Sequence, residues 1–236
     1  MFTDATGLST SRFLPLGGKA GAKPAGVPAS PLDGASLPGA PMRAGRDAEI
    51  IAQGARAEYC YRIVAGCVRT VKLLEDGRRQ VGAFLFAGDL FGWDAGGEHA
   101  FAAEAVTDVT LRRFKISDVE ERAATDHTFA TRLRRYLIAQ IGVARNHLVL
   151  LGRKTAAERI ASFLTEMTDR LDSRPGSGID LPMSRADIAD YLGLTVETVC
   201  RGLTELRRHG TVTVDRTRIV IRDRAALGQS TGVRLH

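Results

Sequence analysis

Cysteine is scarce in this chain, and long hydrophobic runs are missing. The three cysteines, Cys60, Cys67 and Cys200, are too few and too scattered for a disulfide framework. Cys60 and Cys67 also stand at no usual zinc-ligand spacing, so we predict ordinary buried thiols and no metal site. No apolar run approaches the roughly 18 residues that a membrane span needs, and the N-terminus lacks the pattern of a secretory signal. These absences predict a soluble, cytoplasmic protein.

Motifs of catalysis are absent as well. The chain contains no nucleophile elbow, no phosphate-binding loop and no H-E-x-x-H pattern, which argues against an enzyme. The net charge of +6 permits a polyanionic partner without requiring one. Residues 179–236 hold nine arginines against seven acidic residues, so charge alone is weak support for nucleic-acid binding.

Composition and periodicity divide the chain into four parts. Residues 1–48 are rich in Gly, Ala and Pro, keep no regular period and are predicted to be a flexible tail. Residues 49–127 contain short alternating runs bounded by Gly and Asp-Gly turns, which predict a small β-sandwich or barrel. Residues 128–152 predict one long helix, and residues 153–236 a C-terminal helical domain.

The long helix carries an apolar seam with intervals of 4, 4, 3, 4 and 3 residues. Its members are Leu133, Leu137, Ile141, Ala144, Leu148 and Leu151. Such a stripe can pack on the β domain of its own chain, or it can pair with the same helix of a second copy. The length of the seam, with arginines off it, favours a homodimer.

The strongest local signal lies in residues 182–221. Ser184-x-x-Asp187 is a capping box that begins one helix, Gly193 supplies a tight turn, and Thr195 caps a second helix that stops at Gly210. Two helices joined by a short Gly-containing turn predict a helix-turn-helix. Two alternating strands follow around a polar turn and predict the wing of a winged helix.

The second of these helices is predicted to read DNA. Val196, Glu197, Cys200 and Arg201 share its outer face; Arg can bond guanine O6 and N7, and Glu can accept from cytosine N4. The alternative is an exposed Glu197–Arg201 salt bridge without further function, but the caps, the turn and the wing favour DNA reading. Contacts to the phosphate backbone are predicted for Ser184, Arg185, Thr195, Arg208, Arg216 and Arg218.

Residues 182–201 resemble the helix-turn-helix of the cyclic-AMP receptor protein/FNR family of transcription regulators. Residues 61–69, 76–84 and 88–92 resemble its β-roll sensor domain, and residues 150–159 are similar to its FixK branch. The resemblance implies an α+β fold with an N-terminal, jelly-roll-like β-roll (a double-stranded β-helix), a long dimerisation helix and a C-terminal winged helix-turn-helix. It implies a homodimeric activator that binds double-stranded DNA at a TTGAT-like palindrome.

The same resemblance implies a contact with RNA polymerase through Glu75, Asp76 and Arg78, where a plain hairpin tip is the alternative. Cys200 stands where the family's E-x-x-S-R motif usually has Ser. We expect a near-isosteric replacement, and the alternative is a redox switch in which oxidation of the thiol blocks DNA binding.

The chain departs from the family at both of its usual signal-binding motifs. Residues 1–59 contain no cysteine cluster, so an iron–sulfur cofactor is not expected. Trp93 follows Gly92, and residues 99–103 offer no Arg to hold a phosphate, so cyclic nucleotide is not expected and no cofactor is predicted. The alternative function is a sensor of haem, nitric oxide or a small effector, with His99, His127 and His147 as candidate ligands.

Overall fold

The N-terminal half of the protein forms two four-stranded antiparallel sheets that face each other. The computed structural model describes residues 30–32, 37–94, 96–171 and 178–230. One sheet has the strand order β1-β8-β3-β6 and the other β2-β7-β4-β5. The strands are β1 (Ala40–Ala44), β2 (Glu49–Ile51), β3 (Tyr59–Ala65), β4 (Cys67–Leu73), β5 (Arg79–Phe86), β6 (Leu90–Phe91), β7 (Ala102–Ala105) and β8 (Val109–Lys115).

Alternation along the strands explains why the sheets pack. Ile63, Val68 and Leu111 have no exposed surface and meet in one apolar cluster between the sheets. The predicted sandwich is therefore present. Its first strand, however, lies in residues predicted to be a flexible tail, and for residues 40–44 that prediction is wrong. Met42 and Ala44 pack on the core while the strand pairs with β8 along its whole length. Residues 1–29 and 33–36 of the predicted tail lie outside the described residues.

Three helices continue the chain: α1 (Ile116–Thr125), α2 (His127–Arg153) and α3 (Ala156–Leu171). Asp126 caps α2 by accepting from the Phe129 backbone N–H at 3.0 Å. Thr155 and Glu158 cap α3 reciprocally, each accepting from the backbone N–H of the other. Among the described helices, none has both the length and the apolarity that crossing a membrane requires.

The C-terminal domain places two short helices against a small sheet. Its elements are β9 (Ile179–Asp180), α4 (Arg185–Leu192), α5 (Val196–Arg208), β10 (Val212–Asp215), β11 (Arg218–Ile221) and α6 (Arg224–Gln229). The sheet order is β10-β11-β9, and β10 and β11 form the hairpin that the sequence predicts as a wing. The helices α4 and α5 cross with the predicted tight turn between them.

The two sides of α2 differ sharply. Phe129, Leu133 and Tyr136 are buried against α1 and the β domain of the same chain. Leu133 therefore follows the alternative prediction, intrachain packing, because it lies on the side of α2 that faces the β sheets. Leu151 also packs on the chain's own core, within reach of Gly193. For Leu133, which its own chain buries, the predicted dimer contact is wrong, whereas the half-buried Leu151 stays a predicted seam residue.

The two domains share one apolar core. Phe84 of β5 lies against both Phe163 of α3 and Tyr191 of α4, with ring centroids 6.3 and 5.3 Å apart. The ring of His147, in α2, stacks on the ring of Tyr191, and the two ring centroids are 4.3 Å apart. Neither ring nitrogen of His147 finds a hydrogen-bond partner among the described residues. Tyr191 thus joins the β domain, the long helix and the helix-turn-helix.

The position of His147 predicts a dependence of stability on pH. Burial lowers the pKa of His147 below its ordinary value of 6.5. As the pH falls through about 6.5, His147 becomes protonated in the unfolded chain but stays neutral in the folded chain. The free energy of unfolding therefore falls with pH, by at most about 1.4 kcal/mol per pH unit. His147→Phe keeps the stack and removes this dependence. Urea unfolding at pH 7 and pH 5.5 should show a smaller loss for the variant than for the wild type. The exposed His209→Gln should behave as wild type; equal losses in all three proteins would contradict the prediction.

Candidate nucleic-acid interface

The start of the helix-turn-helix is held by a reciprocal cap. The Ser184 side chain accepts from the Asp187 backbone N–H at 3.1 Å, and the Asp187 carboxylate accepts from the Ser184 backbone N–H at 3.1 Å. At the other end of α4, Gly193 adopts the left-handed conformation with φ 61°. A residue with a Cβ is strained at that angle, so the turn that aims α5 depends on glycine.

The inner face of α5 fixes the helix on the domain. Val199 and Leu203 are buried, and Thr195 caps the helix, as the sequence predicts, by accepting from the Thr198 backbone N–H at 3.1 Å. A Cβ on Gly202 would lie 2.4 Å from Cδ1 of Ile160, so glycine lets α5 lie directly on α3. This close crossing leaves the opposite face of α5 free of the domain.

That opposite face presents the predicted base-reading residues to solvent. Val196, Glu197, Cys200 and Arg201 are all exposed. The side chains of Glu197 and Arg201 keep 85% and 69% of their surface and approach to 3.6 Å. A pair this exposed contributes little to stability, so both groups can turn to base edges at small cost. The intrahelical pair of the alternative prediction is thus present in the free chain, and it does not compete strongly with DNA reading.

The predicted phosphate contacts surround this face, but they are not equally free. Ser184, Thr195, Arg208 and Arg216 are exposed. Arg218 is exposed and donates to Asp180 at 3.2 Å. Arg185 is half-buried, and its guanidinium donates to the Arg216 carbonyl at 2.9 Å. Arg185 therefore holds the wing turn beside the first helix, a role that its place at the start of a helix did not indicate.

The three thiols lie in different surroundings. Cys60 and Cys67 are buried, and burial raises the pKa of Cys60 to about 12 and the pKa of Cys67 above its ordinary value. They are inert structural thiols, as the sequence predicts. Cys200 is exposed on the outer face of α5.

The β domain contains a cavity of about 340 Å³ between its sheets and α2. Aromatic rings of Phe91, Trp93 and Phe101 line it, and its polar groups include His99 and Asp94, which approach to 2.9 Å. The lining residues that the structure describes include no lysine or arginine. A cyclic phosphate would meet a carboxylate there without a cation, so these residues do not fit a cyclic nucleotide.

The histidines proposed as sensor ligands stand in separate places. His99 lines the cavity, His127 is exposed at the first turn of α2, and His147 is stacked on Tyr191. Within the described ranges, no group of three or more His, Cys, Asp or Glu residues could hold a metal ion.

A β-roll joined by a long helix to a winged helix-turn-helix, with the recognition helix turned to solvent, defines a class of DNA-binding transcription regulators. The family models agree: residues 42–126 match the cyclic nucleotide-binding domain and residues 158–230 the Crp-like helix-turn-helix domain. The chain is 45% identical over 193 residues to the nitrogen fixation regulation protein FixK of Azorhizobium caulinodans, which covers 80% of this chain and 78% of that protein.

A second relative, FixK of Rhizobium meliloti, is 40% identical over 206 residues, covering 86% of this chain and 89% of its own. The solved structure of FixK2 from Bradyrhizobium japonicum superimposes with a TM-score of 0.80 at 43% identity, covering 84% of this chain and all of that one. The chain belongs to the CRP/FNR family and is a FixK-like DNA-binding transcription regulator. The predicted family and fold class are confirmed, and the relatives are regulators, not enzymes.

The cavity yields a prediction about ligands. Cyclic AMP should leave the melting temperature unchanged, because no cation among the described lining residues balances its phosphate. A ligand present at about a hundred times its Kd would add about 2.7 kcal/mol to the free energy of unfolding, a shift of several degrees. Thermal melts in rising cyclic AMP, with inorganic phosphate as the ionic control, measure this. A rise in Tm specific to the nucleotide would show that our reading of the cavity is wrong.

Proposed function

We propose that this protein is a homodimeric activator that recognises a TTGAT-like palindrome through Glu197, Cys200 and Arg201, with Val196 beside them. The observation that carries the proposal is the exposed acidic and guanidinium pair on the first turns of α5, opposite the buried face that fixes the helix. The N-terminal part of a recognition helix is the part that meets base edges in the major groove. Membership of a DNA-binding family supports the same conclusion.

The dimer is supported by an apolar strip along α2. Leu137, Ile138, Ile141, Leu148 and Val149 are all exposed, and Ile141 and Leu148 keep 51% and 70% of their surface. Five exposed apolar side chains over three turns of one helix are unusual on a monomer. Their spacing places them along one side of α2, where a second helix can cover them, and Leu137, at the edge of this strip, also lines the cavity of the β domain. The predicted seam did not include Ile138 and Val149, because its 4-and-3 spacing runs along the border between the buried side of α2 and the exposed strip.

A second copy of this chain is the occupant that fits the strip. A two-fold axis along α2 would present two α5 helices to one face of the duplex, as a palindrome with half-sites about one helical turn apart requires. The predicted seam residues Leu137, Ile141, Ala144 and Leu148 are all exposed on the chain, in keeping with this arrangement.

Ile141→Glu should convert the dimer to a monomer, because it would bury a carboxylate without a partner between two apolar helices. Sedimentation equilibrium at micromolar concentration measures the mass directly. Asn146→Glu is the matched control, since it adds the same charge to an exposed position off the strip. A wild-type protein that is itself monomeric, or an Ile141→Glu variant that stays dimeric, would contradict this interface.

Arg201→Ala should weaken binding to the specific duplex by about 1–3 kcal/mol and leave nonspecific binding nearly unchanged, because a base contact is lost. Arg207→Ala removes a charge from the far end of the same helix and should lower both affinities slightly and equally. Selection of bound duplexes from a random pool first identifies the site. Titrations of each variant on the selected and a scrambled duplex then give the ratio of the two affinities. An Arg201→Ala variant that loses both affinities equally would make Arg201 a phosphate contact only.

Two further contacts belong to this proposal. Glu75, Asp76 and Arg78 are exposed at the tip of the β4–β5 hairpin, where Asp76 and Arg78 pair at 2.7 Å, and we assign this tip to RNA polymerase. Cys200 lies between Glu197 and Arg201 on the reading face, where a small side chain can approach a base. Its redox sensitivity stays a prediction.

A further inference from the structure

A cluster of charged side chains joins the β domain to the first helix of the helix-turn-helix. Arg69 of β4 donates to both carboxylate oxygens of Asp187 at 3.1 and 3.2 Å. Arg79 of β5 donates to Asp187 at 2.7 Å and to Asp190 at 2.8 Å. Glu104 of β7 completes the group by accepting from Arg69 at 2.8 Å. Arg69, Arg79 and Glu104 belong to the β domain, and the two aspartates belong to α4, 108 to 118 positions away in sequence from the arginines that they bind.

The charges in this cluster are largely removed from water. The side chain of Asp187 keeps 4% of its surface and that of Arg69 keeps 12%. Burial opposes the charged form of Asp187, but its bonds to Ser184 and to the two arginines outweigh this and lower its pKa. For Arg79 burial is likewise outweighed, by hydrogen bonds to Asp190 and Asp187, and its pKa is raised. Arg69 and Asp187 therefore need their partners, because the loss of a partner would leave a buried charge unbalanced.

Asp187 also binds Ser184, through the same carboxylate that binds the arginines. Its carboxylate also closes the capping box by accepting from the backbone N–H and hydroxyl of Ser184. The arginines therefore hold the first turn of α4 itself. Because α4 packs on α5 across the Gly193 turn, the position of that first turn determines where the base-reading face points.

The apolar core across the boundary would not determine that direction alone. Apolar contacts such as Phe84 on Tyr191 depend less strictly on direction than hydrogen-bonded ion pairs do. The backbone leaves α2 through the extended residue Lys154, which is a single covalent connection to α3. Hydrogen-bonded ion pairs have fixed geometry, so they can select one orientation among those that the apolar core allows.

We propose that Arg69 and Arg79 are positioning residues for DNA recognition. They hold α4 so that both recognition helices of the dimer meet their half-sites at the same time. This inference rests on the proposed palindrome-binding dimer. In this arrangement the β4–β5 hairpin orients α4 without a ligand in the cavity.

Two substitutions test the inference on the full-length protein. Arg79→Gln removes the charge that Asp187 and Asp190 share, and Asp190→Asn removes one partner while leaving the capping box intact. Arg56→Gln is the matched control, because Arg56 is an exposed arginine of the same β domain whose side chain pairs only with the local Glu58 among the described residues. Each variant is titrated with two duplexes: one carries TTGAT and its inverted repeat one helical turn apart, the other carries a single TTGAT.

We expect both test variants to lose about tenfold in affinity for the palindrome and less than about twofold for the single half-site, because only simultaneous binding depends on domain orientation. The control should bind both duplexes as wild type does. The double variant should lose no more than Arg79→Gln alone, since Arg79 and Asp190 act as a pair.

Unchanged palindrome affinity in the folded variants would overturn the inference, and so would equal losses on both duplexes. If Arg79→Gln does not fold, Asp190→Asn decides by itself, since Asp190 is partly exposed and bonds to Arg79 alone among the described side chains. A wild-type protein without preference for the palindrome would overturn the proposed function along with the inference. If the wild type prefers the palindrome and the variants prefer it to the same degree, the inference alone is overturned.

Discussion

The packing of α4 against both the β domain and α5 is the contact on which the arrangement of this protein depends. On one side Tyr191 enters the aromatic core formed with Phe84 and Phe163, and Asp187 binds the arginines of the β4–β5 hairpin. On the other side the Gly193 turn delivers α5 with its polar face outward. A short helix with both faces occupied has little freedom, so the direction of α5 follows from it.

The same packing leaves two surfaces exposed that the rest of the single chain does not cover. One is the apolar strip on α2 and the other is the polar face of α5. An apolar strip in water favours contact with a second apolar surface. An exposed guanidinium favours hydrogen-bond acceptors, and an exposed carboxylate favours hydrogen-bond donors. Their chemistry differs, and so do the partners that we propose for them: a second copy of the chain and the edges of base pairs.

Local patterns predicted the helix-turn-helix well. The capping box at Ser184 depends on residues three apart, and the turn depends on one glycine that can adopt positive φ. The α2 seam was predicted less well. Heptad spacing shows that one side of a helix is apolar, but α2 has two apolar sides, and Leu133 belongs to the one that its own chain covers. The first strand was missed because Ala40–Ala44 is stabilised by pairing with β8, about seventy residues away in sequence.

The sequence by itself determined the class of protein, the helix-turn-helix with its wing, and the residues on the outer face of α5, because capping, turn formation and helical periodicity act over a few residues. Only the tertiary structure decided which side of α2 remains exposed, that Arg185 holds the wing, and that Arg69 and Arg79 reach Asp187 and Asp190. Those contacts join positions up to 118 residues apart, and which distant charges meet depends on how the sheets and helices pack rather than on any local spacing.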